Sequence, residues 1–130
     1  MRHSVLGFAL AAMLGFASTA ALALDMPEGI GIGDSAKGQV LVNHDRMSLY
    51  TFSADPPNQS VCIGGCAANW PPALAPDDAK PVGDFTIVTR EDGSRQWAYR
   101  ERPLYAWVQD QNPGDTTGDG VGGKWMLAKP

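Results

Sequence analysis

Two cysteines, a histidine with a nearby methionine, and a twice-written tyrosine–carboxylate phrase are the residues of this chain with chemistry to offer. Cys62 and Cys66 are its only cysteines. In an exported protein an even, close pair reads first as a disulfide, and a spacing of four on a tight turn can bring the Cα atoms within bridging range. Closing so short a loop contributes about 2 kcal/mol in the chain-entropy view. A thiol-redox role fits less well, because the usual redox spacing is Cys-x-x-Cys beside a βαβ unit. The better functional rival is metal handling. Reduced Cys62 and Cys66 with His44 and Met47 make a plausible Cu(I) set, since thiolate and thioether select that ion. Copper is thus the alternative cofactor; the leading reading carries none.

Other patterns with chemical content are weaker. The Asp115–Gly123 loop invites calcium, with Asp110, Asn112, Asp115 and Asp119 as oxygen donors. An EF-hand needs Gly at its sixth position and Glu at its twelfth, and counting from Asp110 those places hold Asp115 and Val121. A polar Gly-rich connection is the preferred reading. Gly118-x4-Gly123-Lys124 imitates a phosphate loop, but Trp125 stands where Ser or Thr would hold Mg²⁺. The segment 29–34 (GIGIGD) lacks a preceding strand and a following helix, so nucleotide binding is not expected. There is no Gly-x-Ser-x-Gly, and no carboxylate spacing singles out an acid/base pair.

The remaining feature is a phrase. LYTFSAD at 49–55 returns as LYAWVQD at 104–110, an offset of 55. In the same register stand Ile32/Ile87, Gly38/Gly93, Gly65/Gly120 and Trp70/Trp125. One unit is written twice, at about 28–75 and 83–130. Tyr50 with Phe52, and Tyr105 with Trp107, lie two apart and share a strand face. The structural reading makes them core: each unit buries its aromatic pair against its twin, and Trp70 and Trp125 close the core. Asp55 and Asp110 then start turns by accepting backbone N–H bonds. The sharper reading is a paired carboxylate-and-phenol site across a pseudo-twofold, which makes Tyr50, Phe52, Asp55, Tyr105, Trp107 and Asp110 the candidate binding residues. An enzyme using Asp55 and Asp110 ranks third.

The elements that must position these groups are short. Ten Pro and fifteen Gly, with no long helical period, favour strands. Strands are expected at 39–44 and 48–54 in the first unit, with a weak one from Gly29–Asp34. In the second they are expected at 85–90, 95–100 and 104–109, joined by Glu91–Ser94 and by Glu101-Arg102-Pro103, with a last strand at KWMLA. One helical turn fits Cys66–Asn69, stopped by Pro71-Pro72. The fold expected is mainly β: two antiparallel meanders related by pseudo-twofold symmetry and packed as one small domain, residues 24–130.

The first residues read differently. Met1-Arg2-His3, an apolar run from Val5 to Leu24 and the small-x-small Ala21-Leu22-Ala23 are expected to be a secretory signal peptide spanning 1–23. Its removal would leave a net charge of −5 and His44 as the one histidine. That balance argues against nucleic acid as partner, which needs a basic footprint. The mature chain is expected to be soluble, periplasmic or secreted, without a transmembrane helix.

These residues carry a resemblance. The chain is similar to the secreted-repeat family of predicted lipoproteins with a Tyr-x-(Phe/Trp/Tyr)-x-x-Asp motif, matched at Tyr50/Phe52/Asp55 and Tyr105/Trp107/Asp110. The likeness extends to Ser60-x-Cys62-x-Gly64-x-Cys66-Ala67-x-x-Trp70-Pro71-Pro72, Asp92-Gly93, Gln96-Trp97 and Pro113-Gly114-Asp115-x-x-Gly118-Asp119-Gly120. It departs at the lipid-attachment Cys, since the first cysteine is Cys62. The resemblance implies export and brings no settled activity with it. The reading reached is an exported, non-enzymatic binding or interaction module of the cell envelope, with an envelope protein or small ligand as partner. The alternative is a periplasmic copper-handling or thiol-redox protein built on Cys62/Cys66.

Overall fold

A computed structural model describes residues 25–130; the expected signal peptide lies outside the described residues. The chain is mainly β, with antiparallel pairing throughout its named strands. The first unit opens as a hairpin of β1 (Gly31–Ser35) and β2 (Gly38–Val42), and continues through β3 (Tyr50–Phe52) to the helical turn α1 (Gly65–Asn69). The second runs through β4 (Phe85–Thr89), β5 (Arg95–Tyr99) and β6 (Arg102–Pro103), a three-stranded meander, then a 3-10 turn at Val121–Gly123 and β7 (Trp125–Leu127).

The β4–β5 connection is the Asp-Gly turn that its sequence predicts. Gly93 sits at φ 85° and the Asp92 carboxylate accepts the Ser94 N–H and hydroxyl. The next connection differs from expectation. Arg100 and Glu101 form the turn, both at positive φ (49° and 69°), and Arg102-Pro103 is already strand. Two consecutive left-handed residues match the twist of a two-residue hairpin.

The expected strand at 104–109 is reduced to a pair of bridges at Tyr105, one to Tyr50 and one to Pro72. Proline explains the loss. In the first unit Tyr50, Thr51 and Phe52 pair with Leu127, Met126 and Trp125. Their counterparts 105–107 face Trp70, Pro71 and Pro72, and two prolines have no N–H to give the ladder. Only the bonds in the other direction survive, such as Ala106 N–H to Pro71 C=O at 2.8 Å.

Those pairings show that each unit is completed by the tail of the other. The N–H of Leu41 donates to Ala128, that of Ala128 to Leu49, and that of Leu49 back to Leu41, closing a ring of three strands. The second ring repeats it: Trp97 to Ala73, Ala73 to Leu104, Leu104 to Trp97. Between them Tyr50 and Tyr105 exchange both backbone bonds, at 2.7 and 2.9 Å, where the pseudo-twofold passes. Strand alternation then divides the core. Leu41, Leu49, Phe85, Trp97, Tyr99 and Leu104 pack on one face; Val40, Val42, Tyr50, Trp70, Tyr105 and Trp125 pack on the other.

Candidate functional site

On that second face the two motifs complete each other. The Tyr50 hydroxyl donates to Asp110 Oδ2 at 2.6 Å, and the Tyr105 hydroxyl donates to Asp55 Oδ2 at 2.7 Å. Each motif phenol takes the carboxylate of the opposite unit. The remaining oxygen of each Asp accepts backbone N–H, from Val61 at Asp55 and from Thr117 at Asp110. The acceptor role expected for these carboxylates is present, but it reaches six and seven residues along the chain rather than the adjacent turn. Both phenols are held well above the ordinary value of 10.0, first by burial and also by the carboxylate each one faces.

Between the phenols runs a column of rings. Phe52 stacks on Trp125 at 4.3 Å, Trp125 on Trp70 at 3.8 Å and Trp70 on Trp107 at 3.9 Å. Tyr50 meets Trp70 edge-on at 5.4 Å, as Tyr105 meets Trp125 at 5.1 Å. The column maps onto itself under the pseudo-twofold, apart from Phe52 standing opposite Trp107. Gly118 is part of this packing. A Cβ there would lie 2.9 Å from both the Trp70 and Tyr50 rings, and its N–H donates to the Tyr50 oxygen at 3.2 Å.

Symmetry fails around the carboxylates, and that failure marks one pair out. Asp110 is buried at 7% exposure, and Thr117 and Gly118 wrap its pair. Asp55 is half-buried and lines an open groove. Behind it the buried Arg90 guanidinium donates to Ser60 Oγ (2.6 Å), to Gln96 Oε1 (2.9 Å) and to the Cys62 carbonyl (2.9 Å). Ser60 lies 2.6 Å from the Tyr105 oxygen, and the phenol proton is committed to Asp55, so the serine hydroxyl is the donor. Burial pushes the Asp55 carboxyl up, against the lowering effect of its bonds from Tyr105 and Val61. The counterpart of Arg90 at the same offset is Ser35, and no equivalent chain exists there.

The groove beside Asp55 has a volume of about 470 Å³. It lies between β3 and the β5–β6 turn with β6, next to the isolated Tyr50/Tyr105 bridge. Phe52, Met126 and Pro57 supply apolar wall, and the Arg100-Glu101 turn with Arg102 forms the rim. A second groove of about 360 Å³ continues past Arg102 and Met126 to Lys129. Arg100 is held by Asp84 at 3.3 Å and lies over the Tyr99 ring. Arg102 is exposed and pairs with no carboxylate among the described residues.

The other candidates lie elsewhere. Cys62 and Cys66 are joined in a disulfide, with Cα atoms 5.2 Å apart. Cys62 belongs to the aromatic core face, whereas His44 sits on an exposed turn beside Asp45. The four residues proposed for copper are therefore not gathered, and a disulfide offers no thiolate. Around Asp115–Gly123 the carboxylates are occupied internally: Asp115 accepts from Gln111 and Asn112, and Asp119 from Leu127 N–H and Lys37. No group of three or more His, Cys, Asp or Glu able to hold a metal occurs among the described residues. No helix among them is long and apolar enough to cross a membrane.

Arg90 and Arg102 are the residues that motif reading does not single out, while Ser60, Gln96 and Gly118 stand in the family likeness without the role the structure gives them. Arg90 ends a predicted strand and gave no local sign of burial. A usable signal was broken symmetry, since 60–66 and 115–121 share little beyond Gly65/Gly120 inside otherwise matched repeats.

Comparison with known proteins agrees with the repeat. The family described as a secreted repeat of unknown function matches twice, at residues 31–74 and 86–129. No curated protein and no solved structure matches the chain.

Proposed function

The chain belongs to this family of secreted repeats, and on that premise we propose that it is an exported, non-enzymatic binding module of the cell envelope. Its ligand seats in the groove between β3 and β6. The observation that carries the proposal is Arg102, an exposed cation without a carboxylate partner among the described residues, standing where two grooves of ligand size meet above Met126 and Phe52. In a chain of net charge −4, Arg102, with Lys129 along the second groove, favours an acidic group. The half-exposed apolar wall suits a hydrophobic body attached to it. Export is supported by the Ala/Leu-rich opening and by the family's description.

The test is an NMR titration of the labelled chain with acidic peptides and small carboxylate ligands, alongside a pull-down from an envelope extract. Shifts centred on Thr51, Arg102 and Met126, lost in Arg102→Glu together with the captured species, are the expected result. Binding that survives Arg102→Glu, or shifts confined to the Cys62–Cys66 region, contradicts the groove.

A further inference from the structure

The ring column has an arrangement that packing alone does not require. We propose that it is a conduit for one-electron oxidation. A hole accepted from an oxidising radical at Trp107 passes along the stacked rings and comes to rest on Tyr50 or Tyr105, whose proton moves to the facing Asp.

Trp107 is the entry because it is the half-buried end of the column and an indole, whereas the other end is Phe52, a ring far harder to oxidise. The stack is thereby directional. An oxidised indole comes to rest where it can lose its N–H proton. The Trp107 Nε1–H is buried with no acceptor among the described residues, so the hole is not trapped there. From Trp107 it meets Trp70 at 3.9 Å, then Tyr50 edge-on at 5.4 Å; the longer branch goes by Trp125 at 3.8 Å to Tyr105 at 5.1 Å.

The phenols are built to receive it. An oxidised phenol is a strong acid, and a carboxylate within hydrogen-bond reach takes the proton without rearrangement. That reach is 2.6 Å at Tyr50–Asp110 and 2.7 Å at Tyr105–Asp55. In the resting state burial keeps both phenols protonated, so the proton moves only with the electron. The step balances. A peroxyl radical gains one electron and leaves as a hydroperoxide anion; the tyrosine loses that electron, its O–H bond breaks and an Asp O–H bond forms. A one-electron donor of the ascorbate class reverses it, the Asp returning the proton. The third tyrosine is an internal comparison: Tyr99 is buried on the other core face, and its hydroxyl has no partner among the described residues.

The experiment photo-oxidises the chain with a ruthenium polypyridyl complex and a sacrificial acceptor, and reads radicals by electron paramagnetic resonance. A neutral tyrosyl signal is expected, lost in the Tyr50→Phe/Tyr105→Phe double variant although Tyr99 remains. Because Tyr50→Phe leaves Asp110 Oδ2 without its phenol donor, two further readings decide on a securely folded chain. Trp107→Phe, which keeps both phenol–carboxylate pairs, should lose most of the signal, and deuterated solvent should slow its appearance in the unaltered chain. A tyrosyl yield unchanged by Trp107→Phe, a signal that maps to Tyr99, or formation indifferent to deuterium overturns the proposal.

Discussion

Tyr50 and Asp110, sixty residues apart, share a buried 2.6 Å hydrogen bond. Together with its twin, Tyr105–Asp55, it shows that the repeated motif is not a unit in itself. Each copy carries half of two bonds, and only the pair of copies closes both. This is why the motif can recur without either copy forming a separate domain: the tails at Ala73 and Ala128 also cross over to complete the other unit's strands.

Gly118 should be a sensitive glycine of the core. Its Cα faces Trp70 and Tyr50 so closely that an added methyl meets ring atoms at 2.9 Å, and neither ring is free to move within the stack. Gly118→Ala should cost about 1–3 kcal/mol, the range for overpacking a filled core. Gly65→Ala provides the contrast. It opens α1 with nothing within 4 Å of the new methyl, and restricting the unfolded chain there should stabilise by about 0.4–1 kcal/mol. Denaturant midpoints of the two variants check both signs.

The disulfide anchors Ser60 and the Cys62 carbonyl, both of which Arg90 holds. The protein should show no free thiol on counting under denaturing conditions. Reduction should lower stability by about 1–3 kcal/mol, since the closed loop is short. It should also loosen the Ser60–Tyr105 contact, seen as faster amide exchange at Val61 and Cys62. A free thiol in protein taken from an oxidising compartment contradicts this.

Alkali should unfold the protein through its phenols. Both Tyr50 and Tyr105 are raised above 10.0 in the folded state, chiefly by burial. The unfolded chain therefore releases these protons first, binds fewer than the native chain above that value, and gains in relative stability as pH rises. The stabilisation is full below pH 10 and is lost as pH climbs from there toward the folded values. Tyrosinate absorbance and circular dichroism followed together should show the two buried phenols ionising with unfolding. Asp55 acts in the same sense at the acid end: its folded value is raised from 3.8, so stability relative to Asp55→Asn should fall as pH rises just above that point.

Much of this architecture was legible in the residues. The offset of 55 gave the repeat, alternation along 49–52 gave the two core faces, and Asp92-Gly93 gave a hairpin. The separation of Cys62 from Cys66 gave the bridge. What one sequence does not carry is which copy completes which. Leu49 and Leu104 have the same neighbours in the chain, so identical local signals fit a closed unit and a crossed one equally well. Gly118 and Arg90 were hidden for the same reason, because the atoms that define their roles, Tyr50 for one and Ser60 for the other, are distant in sequence. Pro71 and Pro72 signal a helix stop locally, and their second effect, thinning the ladder at Tyr105, depends on that same crossing.

A double-mutant cycle tests the crossed pairing most directly. Tyr50→Phe combined with Asp110→Asn, and Tyr50→Phe combined with Asp55→Asn, compare the partner seen in space with the partner written in the same motif. Hydrogen bonds to charged groups contribute about 1.5–3 kcal/mol, and residues without a shared partner add within about 0.5 kcal/mol. The account expects strong coupling between Tyr50 and Asp110, and additivity between Tyr50 and Asp55. Coupling within the motif, with none across it, would contradict the account.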